Sequence, residues 1–305
     1  MPRSEHEGRH VTYHSHPILF LDRKYALVSH CVRQVSIRRV VPRFRRNMSR
    51  IGLIIALFIT AGAGLVLALF PEIDLWIAQA FYDAVDARDK LFTLGLSPTV
   101  LVLRKVGTWT EIILIAPAVM AVIIKLFLPR TKMLISGRAT VFLVASLTLG
   151  PGLLANVILK EHWGRPRPAQ VMQFGGNQHF VAWWDLRGEC LRNCSFVSGE
   201  ASAAFWTIAP AALAPPQYRA LAFGAALTFG ITISLLRLTM GSHFLSDTIF
   251  AGGLTFLIIR LLYALIYRWP RTRLDDMAVE KALERLSVFC RSAMIKLTKW
   301  LRRAS

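Results

Sequence analysis

Residues 51–70 read Ile-Gly-Leu-Ile-Ile-Ala-Leu-Phe-Ile-Thr-Ala-Gly-Ala-Gly-Leu-Val-Leu-Ala-Leu-Phe, twenty positions without a charge. A run of about 20 apolar residues wound as a helix reaches across a hydrocarbon layer of about 30 Å. Residues 1–47 contain no apolar core followed by a cleavage site, so a retained spanning helix is expected rather than a cleaved leader. Met48, just ahead of the run, is a candidate alternative start of translation. Five more apolar segments lie near 111–129, 138–159, 200–217, 219–236 and 248–267, which raises the expected crossings to six. The fourth is the weakest, interrupted by Pro210 and closed by Pro215-Pro216, where a hairpin to the fifth is expected.

Composition agrees with a membrane setting. Of 305 residues, 54% are hydrophobic and 18% charged, against about 45–50% and about 25% for a soluble domain. This excludes a disordered chain, a collagen or a coiled coil. The net charge of +19 raises nucleic acid as a partner, but its distribution argues otherwise. Residues 1–50 hold 11 Lys/Arg against 3 Asp/Glu and residues 268–305 hold 10 against 4, so the two tails supply 14 of the 19 charges. Basic flanks of apolar helices mark the cytoplasmic side and meet anionic lipid there, and no nucleic-acid partner is expected. The 130–138 loop (Arg130, Lys132, Arg138) and Arg219 fall on that same side if the helix count is even. The opposite side receives 71–110 with its acids (Glu72, Asp74, Asp83, Asp86, Asp89), the long 160–199 loop and the 237–247 stretch.

The C-terminal tail is amphipathic. Val279, Leu283, Leu286, Cys290, Ala293, Leu297 and Leu301 share one face of a helical wheel. Lys281, Glu284, Arg285, Arg291, Lys296, Lys299, Arg302 and Arg303 occupy the other. Such a helix lies in the membrane interface or packs, solvated, on a partner.

Three polar stretches lie at the outward ends of apolar segments: Lys160-Glu-His-Trp-Gly-Arg-Pro-Arg167-Pro168, Ser195-Phe-Val-Ser198-Gly199-Glu200, and Arg237-Leu-Thr-Met-Gly-Ser-His243-Phe-Leu-Ser-Asp247. Lys160, Arg167 and Arg237 suit the oxygens of one phosphoryl group, the two arginines forking onto oxygen pairs. Ser198-Gly199 at a helix start offers backbone N–H groups to the same anion. Asp247, four residues after His243, is suited to orient one ring nitrogen and free the other as nucleophile or base. Glu200 adds a group for proton transfer if burial keeps it protonated. Singly, these read as snorkelling cations, a helix cap and a local salt link; together on one membrane face they read as a phosphate site.

Lys-x6-Arg-Pro, then Ser-Gly, then Arg-x5-His-x3-Asp resembles the type 2 phosphatidic acid phosphatase (PAP2) superfamily over roughly residues 50–268. The resemblance implies an all-α, polytopic bundle of six transmembrane helices and a metal-independent, cofactor-free hydrolysis of phosphate monoesters. His243 then corresponds to a nucleophile forming a phosphohistidine, Asp247 to its orienting partner, and Lys160, Arg167, Arg237 and the Ser198/Gly199 backbone to the phosphate clamp. Two positions depart from the pattern. Glu200 stands where the family usually has the histidine that protonates the leaving oxygen, so a protonated Glu200 is expected in that role. Leu236 stands where a serine usually precedes the arginine.

A narrower resemblance, to the bacterial lipid A 4'-phosphatase branch, rests on Gly150-Pro151-Gly152, Lys160 through Pro168, Gln173-Phe174-Gly175, Cys190 to Cys194 running into Ser195-Phe196-Val197, and His243-Phe244-x-Ser246-Asp247. It implies removal of the 4'-phosphate of lipid A in the bacterial inner membrane, with both termini cytoplasmic and the site facing the periplasm. Undecaprenyl diphosphate or phosphatidylglycerophosphate is the alternative substrate, transfer to a second lipid a variant, and a silent lipid-binding or transport protein the rival from another class. Cys190 and Cys194 would lie outside the cytoplasm, as a disulfide or as two packed thiols. Three domains are expected: a basic tail 1–50, the phosphatase bundle 51–268, and the helix 269–305. Membrane lipids and a phosphorylated lipid are the expected partners, with no obligate protein partner. His6, His10, His14, His16 and His30 read as solvated, His162 as lining the pocket or stacking beside Trp163, and His179, Trp183, Trp184 and Asp185 as a cap over the site or interfacial anchors.

Overall fold

The computed structural model describes residues 41–82, 92–269 and 274–304, and every regular element there is helical. The tail histidines, Cys31 and the acids Asp83, Asp86 and Asp89 lie outside the described residues. The chain divides into two compact units, Met1–Gly52 and Leu53–Ser305. The first is represented by the opening of helix α1 (Val41–Leu69). The second continues α1 and adds α2 (Glu72–Gln79), α3 (Pro98–Phe127), α4 (Gly137–His162), α5 (Gly199–Trp206), α6 (Ile208–Leu213), α7 (Arg219–Thr239), α8 (Leu245–Tyr267) and α9 (Asp276–Ala304).

Five of these helices are long and apolar enough to cross a membrane, within α1, α3, α4, α7 and α8. Ile54, Phe58 and Ile59 on α1 are 63%, 79% and 59% exposed. Such outward apolar faces suit lipid rather than water, and the protein is a multi-pass membrane protein. The fourth expected segment is a broken pair, α5 and α6, neither of which is long enough by itself to count among the five. Pro210 has no N–H for the Trp206 carbonyl, and Thr207 instead turns its hydroxyl onto the Ala204 carbonyl at 2.6 Å. The second segment starts earlier than expected, at Pro98 instead of 111. Ser97 caps it by accepting from the Val100 N–H at 3.4 Å, with proline in the first turn. Arg104 ends an apolar run in the sequence yet lies inside the helix, because its partner Glu200 comes from another one.

Small residues let the helices approach. Phe205 of α5 lies against Gly230 of α7 and Gly252 of α8, where an added Cβ would come within 2.4 Å and 2.9 Å of its ring. Trp206 is fully buried and donates its indole N–H to Ser146 on α4 at 2.9 Å. Along α4, Pro151 interrupts the ordinary ladder and residues Thr148–Leu159 widen to π-type winding. The Asn156 amide fills the gap, donating to the Pro151 carbonyl at 2.7 Å.

Helix α9 turns a mixed polar and apolar stripe toward the bundle and leaves much of its apolar face exposed. Val279, Leu283 and Ser287 face the bundle together with Glu280 and Glu284, while Leu286, Phe289 and Cys290 stay exposed. The reason is Lys125 of α3, which is buried and pairs with Glu284 at 2.8 Å and Glu280 at 3.3 Å. A buried ammonium needs carboxylates more than a methyl group needs a neighbour.

Candidate active site

The loop after α4 folds back along its own beginning. Cys190 N–H donates to Gly164 O at 3.0 Å, Cys194 N–H to Lys160 O at 2.9 Å, and Ser195 N–H to Arg165 O at 2.8 Å. Gly164 has φ +71 and packs against Gly188, whose added Cβ would fall 2.2 Å from the Gly164 carbonyl oxygen. This pairing carries residues 190–198 beneath the start of α8, where His243 and Asp247 lie. Cys190 and Cys194 are joined as a disulfide with Cα atoms 5.7 Å apart.

His243 is buried, and its Nδ1 lies 2.7 Å from the Ser195 carbonyl oxygen but 3.7 Å from Asp247 Oδ2. The carbonyl can only accept, so Nδ1 carries the proton and Nε2 keeps its lone pair. The direct hydrogen bond expected from the His-x3-Asp spacing is therefore replaced by one to the backbone. Asp247 reaches the histidine through Ser195, whose hydroxyl donates to Asp247 Oδ2. The same carboxylate caps α8 by accepting from the Phe244 N–H at 2.8 Å. Burial pushes the His243 imidazole down to about 4; Asp247 opposes this, while Arg237 and Arg167 add to it.

Asp247 is held by a residue that motif spacing does not single out. Arg165 is fully buried and donates to Asp247 Oδ1 at 2.6 Å, Asp74 Oδ2 at 2.8 Å and Ser246 Oγ at 2.7 Å. Its guanidinium lies 4.5 Å from the Phe244 ring centroid. Ser246 returns both its N–H (2.9 Å) and its hydroxyl to Asp74, which ties α2 to the start of α8.

The candidate phosphate ligands gather around Glu200. Arg237 is buried, with Nη1 3.3 Å from Glu200 Oε1, and its Nε has no hydrogen-bond partner among the described residues. Arg104 forks onto Glu200, Nε to Oε2 at 2.8 Å and Nη2 to Oε1 at 2.6 Å. Burial alone would raise the Glu200 carboxyl, but the Arg104 and Arg237 guanidiniums outweigh it and hold the group below its usual range. The protonated state expected from burial is thus corrected to a carboxylate tied to two arginines. Lys160 lies within electrostatic reach of Arg167 and Arg237, and makes no ion pair among the described residues. Arg167 is half-buried, and burial lowers its basicity. Ser198 caps α5 by accepting from the Ala201 N–H at 3.3 Å, and its own N–H points at the Asp247 carbonyl at 3.4 Å. Gly199 leaves no room for a side chain, since a Cβ would stand 2.2 Å from Asn156 Oδ1. The structure thus brings His243, Asp247, Glu200, Lys160, Arg167, Ser198, Gly199 and Arg237 to one end of the bundle.

Other expected residues make contacts of their own. The His162 ring bonds back to Ile158 O at 2.9 Å and is exposed. Trp163 stacks instead on Phe196, with centroids 4.5 Å apart, and donates to Trp183 O. Trp183 is anchored on Gly64 O at 3.0 Å, whereas Trp184 is exposed. His179 pairs with Glu189, and Asp185 with Arg187, on the exposed loop. Among the described residues, no group of three or more His, Cys, Asp or Glu side chains is arranged to hold a metal ion.

The PAP2 superfamily pattern matches residues 139–271. A lipid A 4'-phosphatase of Francisella tularensis subsp. novicida is 33% identical over 223 residues, spanning 72% of this chain and 98% of that protein. A lipid A 4'-phosphatase of Rhizobium etli is 35% identical over 229 residues, spanning 72% of this chain and 88% of that protein. A third, of Rhizobium leguminosarum, is 43% identical over 116 residues, 38% of this chain and 49% of that protein. Among solved structures, a PAP2-type phosphatidylglycerolphosphate phosphatase from Bacillus subtilis aligns with a TM-score of 0.45 and 17% identity, covering 73% of this chain and 98% of that one.

Proposed function

The chain belongs to the PAP2 superfamily and is a membrane lipid phosphatase, a phosphoric monoester hydrolase; from that premise we propose that it removes the 4'-phosphate of lipid A through a phosphohistidine at His243. The observation that carries the site is Arg237, a buried arginine whose Nε has no acceptor among the described residues. It lies in electrostatic reach of two further cations and of a histidine with its Nε2 lone pair free. A buried donor without an acceptor costs about 1–3 kcal/mol, which a phosphoryl oxygen would recover. The lipid A assignment is supported by relatives of that name spanned over 98% and 88% of their length.

In this reading Lys160, Arg167, Arg237 and the first turn of α5 hold the phosphoryl oxygens and offset the charge that develops on them. His243 Nε2 attacks phosphorus in line, the Nε2–P bond forms and the bond to the sugar oxygen breaks. The imidazolium that results is stabilised by the Ser195 carbonyl on Nδ1–H and by Asp247 behind it. Water then attacks phosphorus, which releases inorganic phosphate and neutral His243. The leaving sugar oxygen needs a proton, and Glu200 is proposed to supply it. An incoming phosphate competes for Arg237, and its own negative charge beside the carboxylate favours holding a proton between them.

That role has a specific consequence. Glu200→Gln is expected to slow hydrolysis of the sugar phosphate by about 10²–10⁴-fold while leaving p-nitrophenyl phosphate, whose leaving group needs no proton, within about tenfold. Equal losses on both would reduce Glu200 to a tether for Arg104 and Arg237.

We further propose an inner-membrane location with the site facing the periplasm. Arg130, Lys132, Arg138 and Arg219 flank the helix ends remote from His243, and basic flanks remain on the cytoplasmic side. The reading is tested by mass spectrometry of bis-phosphorylated lipid A incubated with the purified protein in detergent, beside His243→Ala. Loss of one phosphate from the distal sugar, absent in the control, is the expected result. Retention of both phosphates, with turnover of undecaprenyl diphosphate or phosphatidylglycerophosphate instead, would overturn the substrate assignment.

A further inference from the structure

The Cys190–Cys194 disulfide closes a small ring of backbone, and Asn193 inside it has φ +52, a left-handed conformation that asparagine tolerates better than most residues. In that conformation its backbone carbonyl and its side-chain Oδ1 point the same way, at Arg167. Arg167 Nε donates to the Asn193 carbonyl oxygen at 3.2 Å, and Nη2 donates to that oxygen and to Oδ1, both at 2.8 Å. A guanidinium has five N–H donors in a rigid fork. Three of them, the Nε–H and the two on Nη2, are spent on this one residue, and among the described residues the two on Nη1 are left for a ligand.

The ring is fixed at both ends to the same site. Cys190 N–H is bonded to Gly164 and Cys194 N–H to the carbonyl of Lys160, a second candidate phosphate ligand. Cys194 is fully buried, and the next residue, Ser195, holds His243 through its carbonyl and Asp247 through its hydroxyl. Among the described residues Asn193 makes no hydrogen bond to His243 or Asp247, and Arg167 is only half-buried. Without the ring, a long side chain with about 2 kcal/mol of rotamer entropy would have few other restraints to hold its free edge toward the phosphate.

We infer that Asn193 is the positioning residue of Arg167, and that the Cys190–Cys194 bond holds it in register, so that phosphate affinity depends on the disulfide being closed. The inference rests on the reading above that Arg167 grips the phosphoryl group, and it adds how that grip is set. Opening the bond needs a dithiol such as dithiothreitol, which gives two electrons and two protons, leaves two cysteine thiols and is itself oxidised to a cyclic disulfide. Asn193 is then free to leave the left-handed region, and both of its acceptors swing away from Arg167.

The test uses the full-length protein in detergent with Cys31→Ser and Cys290→Ser, so that the pair is the sole thiol source. Kinetics on the phosphorylated lipid and the competitive inhibition constant of inorganic phosphate are measured before and after dithiothreitol, and again in Asn193→Gly and Asn193→Asp. Glycine keeps the left-handed backbone at no cost and removes Oδ1, whereas aspartate keeps the acceptor. Reduction, and Asn193→Gly, are each expected to raise the phosphate inhibition constant and KM by about tenfold, the factor for 1.4 kcal/mol. Asn193→Asp should stay within about twofold of the parent.

In an Arg167→Lys background, where no fork remains to be oriented, Asn193→Gly should add nothing further. An inhibition constant unchanged by both reduction and Asn193→Gly would overturn the inference. So would a rise that persists undiminished beside Arg167→Lys, because the ring would then support the fold at large. If reduction unfolds the protein, the glycine variant decides alone. An oxidised parent that hydrolyses no phosphorylated lipid would instead sink the earlier reading.

Discussion

His243→Ala loses about 10⁴–10⁶-fold in kcat, the scale set by removing a catalytic nucleophile while the binding groups remain. The variant should still bind inorganic phosphate, since Lys160, Arg167 and Arg237 are untouched. Rapid quenching of the parent with labelled substrate should trap an alkali-stable, acid-labile phosphoenzyme that the variant lacks. Turnover within about tenfold of the parent would show that another group attacks. The pH dependence follows from the same residue. A nucleophilic imidazole must be neutral, and burial pushes His243 down to about 4. The acid limb it contributes to kcat/KM should therefore fall near 4, below the limb from the substrate's own second phosphate ionisation near 6. The sign for stability is also fixed. Between about 6.5 and 4 the unfolded histidine binds a proton that the folded one does not, so this group makes the protein less stable as pH falls through that window.

Arg165→Met is expected to be the most damaging change away from the reacting atoms. Arg165 is the shared partner of two buried carboxylates, Asp74 and Asp247. Removing it leaves both uncompensated in a water-poor site, a loss of about 3–5 kcal/mol. Thermal melting in detergent should shift down sharply, and residual folded protein should be inactive because Asp247 no longer fixes Ser195 against His243. Adding Asp74→Asn should restore part of the stability, since one of the two stranded charges is gone, but not the activity. A melting temperature unchanged by Arg165→Met would mean that the triad contributes nothing to the fold.

The spans and the polar stretches at their outward ends were legible without coordinates, because both depend on local properties. A helix that must satisfy its own backbone in lipid has to be apolar for about 20 residues, and Lys160, Arg167, Arg237 and His243 stand out as polar side chains at the ends of such runs. The fourth segment announced its break at Pro210, which the structure converts into the α5–α6 pair. The start of α3 lies ahead of the expected 111, and the charge it takes in at Arg104 is met by Glu200 from another helix, a pairing that no local pattern contains. The face that α9 turns to the bundle is not visible in its apolar periodicity, which carries no information about Lys125 and the inward Glu280 and Glu284.

Partnership within the site was decided only by tertiary structure. Arg104 and Glu200 are 96 positions apart, Arg165 and Asp74 91 apart, and Ser195 and His243 48 apart. At such separations no helical period links the residues. The i, i+4 spacing of His243 and Asp247 even pointed to the nearer of two possible partners, whereas the folded loop delivers a backbone carbonyl to Nδ1 at a shorter distance. The sequence by itself determined which residue types line the outward end of the bundle, because charge beside a membrane span is too costly to be placed casually. Which of them carries a proton, which is neutralised and which faces an empty donor was decided by chain packing, since hydrogen bonds act over about 3 Å in space and take no account of distance along the chain.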